Sequence, residues 1–93
     1  MTAKIDTETA AQFVSMRLAS YGNLPFQVLS PTPYPGKIGV RLHPDERYCI
    51  VDAVGFLAYL DQQRPSLDKL RDMLSRKRRQ NTNQHLSNLS LHV

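Results

Sequence analysis

The stretch RYCIVDAVGFLAYLDQQRP, residues 47–65, changes its periodicity in the middle. Tyr48 to Val51 is a short run of strand-forming residues. Asp52 is then a natural helix N-cap, because a carboxylate can accept from the unpaired amides of a first turn. Ala53 to Gln63 reads as a helix, in which Val54, Leu57, Ala58 and Leu60 or Asp61 sort into an apolar and a polar side. Pro65 closes it, since proline has no amide to continue the ladder. A strand therefore feeds directly into a helix at Asp52.

Working upstream, KIGVRL (residues 37–42) alternates as a strand does, and HPDER (residues 43–47) is turn-like around Pro44 and Asp45. Together with Tyr48 to Val51 this predicts a two-stranded hairpin with its tip at His43 to Arg47. Prolines 31, 33 and 35 forbid a helix just before it. At the N-terminus, DTETAAQFVSMRLASYG (residues 6–22) predicts the first helix. Asp6 or Thr7 caps it, Ala10, Phe13, Val14, Leu18 and Tyr21 share its apolar face, and Gly22 ends it. NLPFQVLSP (residues 23–31) admits two readings. As a short helix capped by Asn23, it turns Phe26 and Leu29 inward and Gln27 and Ser30 outward. By propensity, FQVLS is a strand. The helix is preferred, because Gly22-Asn23 suits a corner between two helices.

Downstream, Ser66 caps a further helix in which Leu67, Leu70, Met73 and Leu74 recur at helical spacing, ending in RKRRQ (residues 76–80). The last residues, 81–93, carry no Asp, Glu, Lys or Arg. Leu89, Leu91 and Val93 alternate there as in a strand. The segment reads as a disordered tail, or as one that docks on a neighbouring protomer.

Composition narrows the function classes. The chain has 93 residues and net charge +4, enough for one small domain. Residues 64–79 hold Arg64, Lys69, Arg71, Arg76, Lys77, Arg78 and Arg79 against Asp68 and Asp72, so the positive excess lies in one segment. Such a cluster favours an anionic polymer as partner. The single cysteine, Cys49, excludes an intrachain disulfide and reads as a small buried hydrophobe. Tyr48, Phe56 and Tyr59 read as core. There are no paired carboxylates, no nucleophile placed beside a base, no phosphate loop and no metal-ligand spacing. An enzyme, a metal and a cofactor are therefore not expected. No apolar run suits a signal peptide or a membrane span, which makes the cytoplasm the expected location.

The predicted order is helix, turn, short helix, hairpin, helix. That is the order of an α+β winged helix-turn-helix, here over residues 1–64, with a two-stranded wing. A basic C-terminal helix (65–80) and an extended tail (81–93) follow. Four motifs carry a more specific likeness: Thr9-Ala10-Ala11-Gln12-Phe13-Val14, Pro33-Tyr34-Pro35-Gly36-Lys37-Ile38-Gly39, Arg47-Tyr48-Cys49-Ile50-Val51-Asp52 and Phe56-Leu57-Ala58-Tyr59-Leu60. In their order and spacing, residues 5–63 resemble the excisionases, or recombination directionality factors. These are related to the DNA-binding domain of MerR-type regulators. The region between first helix and wing is longer than in that family, and its usual recognition helix has no clean counterpart.

The resemblance implies a DNA-binding protein without bond chemistry. It would bind and bend attachment-site DNA and bias a tyrosine recombinase toward excising a mobile element. Bending costs about 1–6 kcal/mol, so head-to-tail association of copies on DNA is expected. Gln27 and Ser30 are candidate contacts on the short helix, with Arg17 supporting it. Lys37, Arg41 and Arg47 are candidate wing contacts to phosphate, whereas Asp45 and Glu46 at the tip repel it. Arg76, Lys77, Arg78 and Arg79 form a sequence-independent clamp. Leu86, Leu89, Leu91 and Val93 are candidate oligomerisation residues. Two other functions fit the same residues: a small winged-helix transcriptional regulator, and a protein-interaction module of a mobile element with no DNA role.

Overall fold

The computed structural model describes residues 5–91, with side chains described through Asn81. It is an α+β domain in the order α1 (Thr7–Ala19), β1 (Gln27–Leu29), β2 (Lys37–Arg41), β3 (Cys49–Asp52), α2 (Ala53–Gln63) and α3 (Leu67–Leu91). The three strands form one antiparallel sheet in the order β1-β2-β3. No helix among the described residues is long and apolar enough to cross a membrane.

The strand-to-helix joint falls where the sequence places it. The Asp52 carboxylate accepts from the Gly55 amide at 2.8 Å, and α2 starts at Ala53. Helix α2 ends at Arg64, which takes the left-handed conformation at φ 45°, and Pro65 follows. Asp6 caps α1 by accepting from the Thr9 amide at 2.7 Å. At the far end of α1, Gly22 sits at φ 104°, a conformation that costs other residues a clash with their own Cβ. The Tyr21 hydroxyl donates to the Pro65 carbonyl and ties that end to the α2–α3 joint.

One core serves every element. Ala10, Ala11, Val14 and Leu18 of α1 meet Ile38, Val40, Cys49 and Val51 of the sheet, with Phe56, Leu57 and Leu60 of α2 and Leu70 and Leu74 of α3. Phe13, expected on the apolar face of α1, is instead 37% exposed, and Ala11 takes the inward position.

Two expectations are corrected. Residues 23–30 are not a helix: Gln27–Leu29 is a strand, paired Gln27↔Arg41, Val28↔Val40 and Leu29↔Gly39. The expected two-stranded hairpin is thus part of a three-stranded sheet. Pro31 disfavours a helical Ser30, and β-branched Val28 gains a partner in Val40. Phe26 packs on the core as expected, but Leu29 points away from it at 41% exposure. Secondly, α3 runs on to Leu91, so the backbone of residues 81–91 is helical rather than strand-like or unstructured. Leu86, Leu89 and Leu91 therefore lie on a helix, and Val93 falls outside the described residues.

Candidate nucleic-acid interface

Alternation divides the sheet into two faces. Val28, Ile38, Val40, Cys49 and Val51 face the helices. Gln27, Leu29, Lys37, Gly39, Arg41, Tyr48 and Ile50 therefore share the outer face. There the Tyr48 ring lies across Gly39, and the Arg41 guanidinium stands 4.3 Å over that ring. The Nε of Arg41 donates to the Gln27 Oε1 at 2.5 Å, and its Nη1 donates to the Glu46 carbonyl at 3.3 Å. Gln27, Lys37 and Arg41 are thus gathered on one surface, although Gln27 arrives there on a strand and not on a recognition helix.

Tyr48 is a correction: it belongs to the outer face rather than to the core. The two-residue period held the signal, because burying Cys49 and Val51 turns Tyr48 and Ile50 the other way. Phe56 is buried and Tyr59 packs against the core, their rings stacked with centroids 6.1 Å apart.

The other predicted contacts separate into engaged and open cations. Arg17 pairs with Asp61 of α2 at 2.5 Å, so it clamps two helices and supports no recognition helix. Ser30 follows β1 and lines a groove between α1 and that strand, with Ala11, Ser15 and Val28. Arg78 pairs with Glu46 at 3.3 Å, binding α3 to the hairpin turn and cancelling one of the two acidic charges there. Arg76 pairs with Asp72 at 3.0 Å on the exposed side of α3. An exposed pair at this spacing contributes only about 0.3–0.5 kcal/mol, so Arg76 remains available to a polyanion. The side chains of Lys37, Arg47, Lys77 and Arg79 are exposed and make no hydrogen bond or ion pair among the described residues.

Asn81 was not foreseen. Its Oδ1 accepts from the Ile50 amide at 2.9 Å, satisfying a donor on the outer edge of β3. Only the path of α3 along that edge makes the contact, so no local pattern in the sequence announces it.

Cys49 is fully buried, and burial pushes its thiol up to about 11 from the ordinary 9.0, against the pull of nearby Arg78 and Lys77. The thiol is therefore protonated at pH 8 and is no nucleophile. Native protein is expected to react slowly with a thiol reagent at that pH, and quickly once denaturant is added. Because the folded state holds the proton more tightly, this group's contribution to stability is complete below pH 9 and is lost as pH rises toward 11. Fast labelling of native protein would show an accessible thiolate instead.

Comparison with protein-family models, with curated proteins and with solved structures gives no match.

Proposed function

We propose that this protein binds double-stranded DNA as an accessory factor of site-specific recombination, in the manner of the excisionases. In this reading β2, β3 and their turn serve as the wing, and the chain acts with a tyrosine recombinase at an attachment site. The observation that carries the DNA contact is the charge. Among the described residues, the side chains of Arg47, Lys77 and Arg79 are exposed cations that make no hydrogen bond or ion pair, Arg76 is only weakly engaged, and Arg78 cancels Glu46 in the turn.

The strand at Gln27–Leu29 changes how such a protein would work. With no short helix there to enter the major groove, the duplex contact falls to α3 and to the turn at Arg47. A helix fits a major groove about 12 Å wide. Phosphate contacts of this kind set position and affinity more than base choice. Copies bound side by side would associate through the last turns of α3, where Leu86, Leu89 and Leu91 lie.

The test is a mobility-shift titration on attachment-site and scrambled duplexes at several salt concentrations. Contacts to about five phosphates predict a log-log salt slope near −4.5, flattened by about 0.9 for each of Arg47→Ala, Lys77→Ala and Arg79→Ala. Truncation after Thr82, which keeps Asn81, is expected to abolish cooperative shifts and leave single-site binding. A flat salt response would overturn DNA binding. Equal affinity for both duplexes would overturn the attachment-site role.

A further inference from the structure

We propose that the outer face of the sheet is a second nucleic-acid site, one that binds a single strand by stacking an unpaired base on Arg41. Lys37, Gly39 and Arg41 form the central row of this face, spanning about 13 Å of strand. The only carboxylate in the rows paired across it is Asp52, one oxygen of which accepts from the Gly55 amide, so the row sets two cations against one anion. A positive row on an open sheet complements a sugar-phosphate backbone.

The decisive feature is the layering at one end of the row. Gly39 has no side chain, so Tyr48 comes close against it, and the Arg41 guanidinium carbon stands 4.3 Å from the centre of the Tyr48 ring. Gln27 and the Glu46 carbonyl hold the guanidinium from two sides. An arginine fixed in this way has already lost its rotamer freedom before any ligand arrives. Among the described residues no second ring is stacked on it, and the side-chain Nε2 of Gln27 beside it makes no hydrogen bond. A guanidinium plane with a free amide at its margin suits a nucleobase, which offers a π-face for stacking and an edge for hydrogen bonding. At the other end, the amide of Lys37 donates to the carbonyl of Tyr34, whose side chain is 54% exposed and offers a second ring near the row. Bases in a duplex are stacked on one another, so only an unpaired base can use this surface.

Binding is read by fluorescence anisotropy with a labelled 15-residue oligothymidine, the matching oligouridine, and the thymidine strand annealed to its complement. A 2-aminopurine substitution in the single strand reports stacking through quenching. Arg41→Lys keeps the charge and removes the plane. This variant is expected to bind either single strand about ten-fold more weakly, to lose the quenching, and to bind the duplex as the parent does. Circular dichroism confirms that it is folded; should it not be, Gln27→Ala, which frees the guanidinium, is expected to show the same selective loss. The thymidine and uridine arms distinguish DNA from RNA as the natural strand. No single-strand binding, unchanged quenching in folded Arg41→Lys, or equal competition by an acidic peptide of matched charge would each overturn the proposal. The duplex reading stands or falls separately, on Lys77→Ala and Arg79→Ala.

Discussion

Leu70→Ala is expected to remove about 3 kcal/mol of folding stability, within the range of 2–5 kcal/mol seen for truncating a buried leucine. Leu70 is fully buried and sits in the core shared by α1, α2 and the sheet. With Leu74, it provides the buried attachment of α3 to the domain body. A chain of 93 residues has a total stability of roughly 5–14 kcal/mol, so this one change removes a large part of it. Chemical denaturation followed by circular dichroism measures the effect. The cations of α3 depend on the same anchor, so the proposed duplex binding should weaken along with stability. An unchanged midpoint would mean that α3 is not docked through this side chain.

Gly39→Val is expected to cost about 2 kcal/mol, even though valine favours strands. A Cβ at position 39 would stand 3.0 Å from the Cβ of Tyr48 and 3.1 Å from its Cγ and Cδ1. The first of those atoms is fixed to the backbone and cannot swing aside. Arg41 lies over the ring and restricts the rest. The gain in strand propensity is at most about 1 kcal/mol, less than the usual cost of overpacking, so the clash wins. In a Tyr48→Ala background two of the three contacts vanish, and the cost of Gly39→Val should shrink. An equal cost in both backgrounds would show that the ring is not what excludes a side chain at 39.

Where a residue's role is set by its near neighbours, the sequence was informative. Asp52 caps the helix predicted from it, Ala53–Gln63 has the expected limits, and the hairpin turns where Pro44 and Asp45 suggest. The failures are positions decided by distant partners. From its neighbours Gln27–Leu29 reads as a helix, and the strand wins only once Val40 and Gly39 are available to pair with it. Leu89 and Leu91 alternate with polar residues, but a helix already running from Leu67 continues through them. The site divides in the same way. The basic cluster on α3 could be read from composition, and the outer-face assembly of Gln27, Arg41 and Tyr48 required the register of three strands.

The hydrogen bond from the Ile50 amide to Asn81 has a consequence for how the protein behaves in concentrated solution. An exposed strand edge is a template on which other chains add and aggregates grow. Along β3 that template is interrupted by Asn81, and the opposite edge, β1, has only three residues, between Pro25 and Pro31. Sheet growth from one molecule to the next is therefore hindered on both sides. Helix α3 thus acts as a guard against polymerisation as well as a carrier of charge, and loosening it would expose the longer of the two edges.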